Sequence, residues 1–276
     1  MASNRKALCV GINNFKNLPS AALQGCVNDA RDMAALLKEL LGFTAADITI
    51  LTDAQATKAN IMKNLSSMVA AAKAGKFNYL VFSLSSHGTQ VPDKNRDEPD
   101  RADEAFCPHD LAQKGNVWDP NFVILDDELH DLFVQLPKSA LLEVYLDTCH
   151  SGTGLKSIDM LLDRKPRYLP PPSLKAFLAV DGRKSRGLHE SMLEKESVHH
   201  ILWAGCRSDQ TSADAKIGAT WHGAFTYYFC KEMRKCKNKL SRLQVLNKVV
   251  AGLKAAHYSQ TPQLEGEATV RKSAIA

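Results

Sequence analysis

The chain has 276 residues, 45% of them hydrophobic, and 35 basic against 30 acidic residues leave a net charge of +5. That is apolar material for one substantial core or two small ones, and charge interspersed along the chain excludes the basic-patch signature of a nucleic-acid binder. The apolar runs fall short of the ~18 to 20 residues that span a bilayer, and the polar start 1–6 has no secretory pattern, so a cytoplasmic protein with no membrane partner is expected.

Lys6–Ile12 (KALCVGI) is an apolar run of strand length ended by two asparagines, and Ala22–Leu41 follows with helical apolar spacing. Asp47–Leu51 reads as a second strand, and Thr57–Gly75 as a helix opened by a threonine cap and closed by glycine. Tyr79–Leu84 is nearly all apolar, as a strand covered on both faces must be. This alternation predicts a parallel sheet with helices on both sides. Gln90–Asp119 is polar, acidic and too long for an ordinary connection, so it reads as a functional loop. Its acidic run Asp93–Glu104 is by itself a solvated stretch. Asp126–Leu136 reads as a helix and Ala140–Leu146 as another buried strand. Gly154–Ser197, with three consecutive prolines and a basic cluster, reads as an exposed linker. The fold resumes with a strand at Val198–Cys206, an amphipathic stretch at Gly223–Met233, a helix at Ser241–Ala256 and a short tail. No internal repeat or second domain is evident, so 1–276 is read as one domain: 6–153, the linker 154–197, and 198–276.

Active sites in open parallel sheets form beyond the carboxyl ends of the strands. Two strand ends carry unusual chemistry: Tyr79–Leu84 runs into Ser85, Ser86, His87 and Gly88, and Ala140–Leu146 runs into Asp147, Thr148, Cys149, His150, Ser151 and Gly152. A thiol nucleophile needs a base or ion-pair partner and backbone donors for an oxyanion. Cys149 and His87 can supply the first two, and an imidazolium beside the sulfur lowers the thiol pKa from its free value of ~8.5. Glycines 88 and 152 leave the backbone bare beside each group, so the amides of Gly88 and Cys149 are the natural oxyanion donors. Alone, His87 reads as a structural strand-end histidine and Cys149 as a small buried hydrophobe; the cysteine at the neighbouring strand end reverses the first reading, and polar and glycine neighbours argue against the second. His150 adjoins the nucleophile, but adjacent side chains on a turn point apart. The seven cysteines show no paired CxxC pattern with nearby histidines, which argues against zinc, and they read as reduced thiols.

SSHGTQ at 85–90, DTCHSG at 147–152, CRSDQTSAD at 206–214 and HGAFTYYF at 222–229 together resemble metacaspases, especially bacterial ones, from about Lys6 to Tyr258. The resemblance implies a three-layer α/β/α caspase-like sandwich with a mostly parallel sheet, large-subunit-like and small-subunit-like parts flanking the linker, and a His87/Cys149 dyad. It implies an acidic primary pocket at Cys26, Asp29, Ser85 and Asp147, and hence protein or peptide substrates with Arg or Lys before the cut. The bare reading of Asp29 and Asp147 is helix or loop capping. A buried carboxylate pair, however, costs several kcal/mol of desolvation unless a cation completes it. Mammalian caspases differ, with a basic pocket and a QAC-type signature that is absent here.

The expected reaction is endopeptidase cleavage through an acyl-enzyme thioester. The alternatives are a catalytically silent scaffold and a peptide ligase using the same thioester. The linker presents Arg164, Arg167, Arg183, Lys184 and Arg186 for an activating cut, made by the enzyme itself or by an upstream protease. The resemblance also places Asp103, Asp126 and Asp127 at three calcium-binding positions. The fourth is Lys156, whose ammonium removes a ligand, with Asp159 a partial substitute, so calcium dependence is expected to be weak or absent.

Overall fold

The computed structural model describes residues 4–92, 102–150, 164–180, 200–208 and 210–275. In chain order the elements are β1 (Arg5–Gly11), α1 (Cys26–Leu40), β2 (Ile48–Thr52), α2 (Lys58–Lys73), β3 (Tyr79–Ser85), β4 (Gly88–Pro92), β5 (Ala102–Phe106), β6 (Gln113–Lys114), β7 (Val117–Trp118), β8 (Ile124–Leu125), α3 (Asp126–Phe133) and β9 (Leu141–Asp147). There follow β10 (Arg164–Pro166), α4 (Leu174–Val180), β11 (His200–Ala204), β12 (Ala213–Ile217), β13 (Thr220–Gly223), α5 (Ala224–Cys236), α6 (Arg242–Ala255), β14 (Gln263–Gly266) and α7 (Ala268–Arg271).

The main sheet has the order β14-β11-β9-β3-β1-β2, parallel throughout except for β14. Because successive strand residues point to opposite faces, each central strand feeds two cores. Leu8, Val10, Phe82, Leu84, Val144 and Leu146 pack with Ile61, Leu65 and Met68 of α2 and with Leu129 and Phe133 of α3. Ala7, Cys9, Val81, Tyr145, Ile201 and Trp203 pack with Met33 and Leu37 of α1, Phe225 and Phe229 of α5, and Val245 and Val249 of α6. The expected three-layer sandwich is the observed architecture. β9 pairs directly with β11, so segments on either side of the linker share one sheet.

Helix ends follow local chemistry. The Thr57 side chain accepts a bond from the Asn60 amide, Gly75 turns the chain at φ +74, and Ser241 with Gln244 closes a capping box. The first helix is shorter than expected, because Pro19–Ala21 forms a separate 3-10 turn and the Leu23 amide bonds to the Asn13 carbonyl instead of entering a helix.

Three expectations are corrected. The stretch read as a loop at 90–119 contains paired strands: β4 lies antiparallel to β5, β5 continues to β8, and β6 pairs with β7. Its acids hid this, yet Asp103 and Glu104 are buried and Glu104 lies 3.0 Å from His150 Nδ1. The tail forms β14, whose single buried apolar residue, Leu264, gave no alternating pattern. Within the linker, 164–180 is structured, with β10 paired to β12 and Arg167 fully buried; 154–163 and 181–197 lie outside the described residues. No helix among the described residues is long and apolar enough to cross a membrane.

Candidate active site

The parallel register of β3 and β9 sets Ser85 opposite Asp147, so both strands leave the sheet at one level and deliver His87 and Cys149 to the same edge. Gly88 is needed there for space: a Cβ on it would lie 2.1 Å from the Cys149 carbonyl oxygen. The His87 ring packs 5.3 Å from the ring of Phe15, and its Nε2 lies 2.8 Å from the Ala21 carbonyl. That carbonyl can only accept, so Nε2 carries the proton and the buried Nδ1 keeps its lone pair free of any hydrogen-bond partner. Burial pushes His87 down to about 4, against the pull of the Ala21 carbonyl, so the imidazole is neutral near pH 7.

A segment of the chain itself occupies this edge. β10 adds antiparallel to β12, pairing Lys165 with Asp214 and Pro166 with Ala213, and the Arg167 amide donates to the Ser212 carbonyl at 3.0 Å. The Arg167 carbonyl then accepts from the amides of Gly88 at 2.9 Å and Cys149 at 3.3 Å, the two donors expected from sequence. Beyond it, the Leu169 amide donates to the Gly88 carbonyl at 2.9 Å.

The Arg167 side chain is wholly buried. Its Nη2 lies 2.6 Å from Asp29 Oδ2 and 3.1 Å from Asp214 Oδ1, and its Nη1 lies 3.0 Å from the Asp147 carbonyl and 3.4 Å from Asp147 Oδ1. Each carboxylate is held from behind. Asp29 accepts from the Gly223 amide at 2.9 Å, Asp214 from the amides of Gln24 and Gly25, and Asp147 from Ser212 Oγ at 2.5 Å and from the amide and hydroxyl of Thr226. Three carboxylates around one guanidinium carry excess negative charge. Burial, and secondarily the neighbouring Asp147, pushes Asp29 up to about 7 although Arg167 pulls it down.

The structure brings some of the residues expected in the pocket to Arg167 and not others. Asp29 and Asp147 touch the guanidinium. Cys26, the first residue of α1, is buried within electrostatic reach of it, its thiol pushed up by desolvation. The Ser85 hydroxyl is buried with no hydrogen-bond partner and makes no bond to Arg167. Asp214 was missed, although it closes the CRSDQTSAD motif; nothing in its spacing tells that it folds back over the cleft. Gly223 was missed too, and a Cβ there would lie 2.2 Å from Asp147 Oδ2 and 2.5 Å from Arg167 Nη1. A further neighbour is Cys206, whose Sγ lies 3.0 Å from Cys149 Sγ; its hydrogen bond to Cys149 and its burial push it well up, so it keeps its proton. The Ser212 amide also makes a short bond to the Cys149 sulfur. All seven cysteines are free.

Asp103 lies on β5, and Asp126 and Asp127 open α3, where negative charge also suits the helix N-terminus. Among the described residues no group of three or more His, Cys, Asp or Glu side chains is placed to hold a metal ion. Lys156, Asp159 and Gly152 lie outside the described residues.

Fold and strand-end chemistry together define the class of caspase-like cysteine peptidases. Residues 4–273 match the caspase domain, the Peptidase_C14 family. Metacaspase-1A of Aspergillus niger is 32% identical, the match covering 94% of this chain and 69% of that protein. Metacaspase-1 of Sclerotinia sclerotiorum is 33% identical over 94% of this chain and 65% of that protein. Two solved structures share the fold: a protein of Geobacter sulfurreducens with TM-score 0.66 and 24% identity, covering 98% of this chain and 97% of that one, and caspase-1 of Spodoptera frugiperda with TM-score 0.59 and 13% identity, covering 96% and 88%. The chain belongs to the caspase-domain family, among the metacaspases and caspase-like peptidases, and is a cysteine-type peptidase.

Proposed function

We propose that the chain is an endopeptidase that cuts after Arg, and less readily after Lys, with Cys149 as nucleophile and His87 as base, and that Arg167–Tyr168 is its own first substrate. The observation that carries this reading is Arg167: its guanidinium meets three carboxylates while its carbonyl oxygen accepts from Gly88 and Cys149. Peptide cleavage needs both positions filled at once. Cys149 Sγ attacks the carbonyl carbon and the two amides hold the developing oxyanion. His87 moves the proton to the leaving amine, and water then hydrolyses the thioester. Arg exceeds Lys because a planar fork can bond several carboxylate oxygens while an ammonium is a point charge. A peptide series with Arg, Lys, Ala or Asp before the cut should be cleaved in that descending order. Equal cleavage after Asp and Arg contradicts the pocket.

The pocket should also set the pH profile. A cation lowers the pKa of a carboxyl it contacts, so its binding expels a proton and tightens as pH rises. Asp29 stands near 7 even with the Arg167 guanidinium pulling it down, so kcat/KM for Arg peptides should rise with pH on a limb at or above about 7, while His87, near 4, is already neutral over that range. Asp29→Asn should flatten this limb. A limb unchanged in that variant assigns it to another group.

Calcium is proposed to matter little. Activity in chelator and in millimolar calcium should differ by less than about twofold, since Lys156 stands where a fourth carboxylate is needed. Loss of activity in chelator with recovery in calcium would show that three aspartates suffice.

A further inference from the structure

The docked segment makes a second set of contacts, three residues before Arg167. Arg164 Cζ lies 3.8 Å from the ring centroid of Tyr258, its Nη1 donates to the His257 carbonyl at 2.7 Å, and its Nη2 donates to the Ala256 carbonyl at 3.0 Å. These carbonyls follow directly on the last turn of α6, the negative end of its dipole, and His257 sits at φ +59, which turns the chain there. The Tyr258 ring is itself braced edge-on by Tyr228 at 6.1 Å. The pairing of β10 with β12, Arg164 opposite Ala215, fixes the distance between this site and the acidic pocket. Lys165, between the two, is exposed.

We infer that Tyr258 and the Ala256 and His257 carbonyls form a second subsite selective for a guanidinium at the fourth residue before the cut, so that preferred substrates carry Arg at both the first and fourth positions. The inference rests on the proposed reading of Arg167 as the residue before the cut. The contacts favour Arg over Lys for a physical reason. A guanidinium can lie flat on an aromatic face while two of its in-plane N–H groups reach separate carbonyls, whereas an ammonium cannot do both. Lys165 is exposed and Pro166 only half-buried between the two subsites, which accounts for selectivity that skips two positions instead of running along the peptide.

The test uses the active full chain and peptides bearing a reporter amine after Arg-Lys-Pro-Arg, Lys-Lys-Pro-Arg, Ala-Lys-Pro-Arg and Arg-Lys-Pro-Ala. Replacing the first Arg by Ala should lower kcat/KM about tenfold, with Lys intermediate. In Tyr258→Leu the Arg-over-Ala ratio should fall toward one. The wild-type series needs no substitution in the protein, so misfolding of the variant leaves the test intact. Equal rates for the Arg-Lys-Pro-Arg and Ala-Lys-Pro-Arg peptides, with Arg-Lys-Pro-Ala uncut, overturn the subsite and leave the primary reading standing. Rapid cleavage of Arg-Lys-Pro-Ala instead overturns the primary pocket itself.

Discussion

Cys149→Ala and His87→Ala should each lower cleavage of Arg peptides by about a thousandfold or more, because one removes the sulfur that forms the acyl bond and the other the group that moves its proton. The two losses should not add in the double variant, since the residues act as a unit. Circular dichroism should show the same fold in both. Cys149→Ala removes one buried atom, while His87→Ala also loses packing on Phe15 and should melt a few degrees lower. Substantial peptide cleavage by Cys149→Ala would remove the nucleophile assignment.

The acidic pocket carries the second large effect. Removing one partner from a buried ion-pair cluster costs about 3 to 5 kcal/mol, which in a binding step is about two to nearly four orders of magnitude. Asp29→Ala, Asp147→Ala and Asp214→Ala should therefore lower kcat/KM on Arg peptides by such factors, and on Ala peptides far less. Asp147→Ala should also destabilise the fold, because its carboxylate ties Ser212 to Thr226 across the cleft. Gly223→Ala offers a purely steric version. Gly223 has φ -70, which any residue adopts, yet its added Cβ would lie 2.5 Å from the guanidinium nitrogen. It should raise KM for Arg peptides more than for Ala peptides. Parallel losses on Arg and Ala peptides in all four variants would mean the residues hold the fold and do not read the substrate.

Much of this was legible in the sequence. The apolar runs at β1, β3 and β9 announced buried parallel strands, and their polar exits announced His87 and Cys149, because a strand end at a sheet edge is a local property of a short segment. Asp29 and Asp147 came only through family resemblance, since either is equally a cap. Asp214 and Gly223 escaped because their role depends on the chain returning over the cleft through β12 and β13, which no periodicity in a five-residue strand reports. Arg167 was legible only as one of several basic residues in a linker. What singles it out is the register of β10 on β12, a tertiary pairing that sets this residue, and not Arg164, over the carboxylates. The β5 and β14 strands were missed for a related reason: their stabilisation comes from ladder bonds to neighbours rather than from an apolar pattern of their own.

The docked arginine also makes the most direct measurement a simple one. The purified full chain is incubated and its new termini are mapped by mass spectrometry, beside Cys149→Ala and Arg167→Ala. Wild type should yield a fragment beginning at Tyr168, Cys149→Ala should stay whole, and Arg167→Ala should lack that cut. A wild-type chain that cleaves Arg peptides at full rate while remaining whole, or an Arg167→Ala chain cut at the same bond, would contradict the assignment of Arg167–Tyr168 as the first substrate.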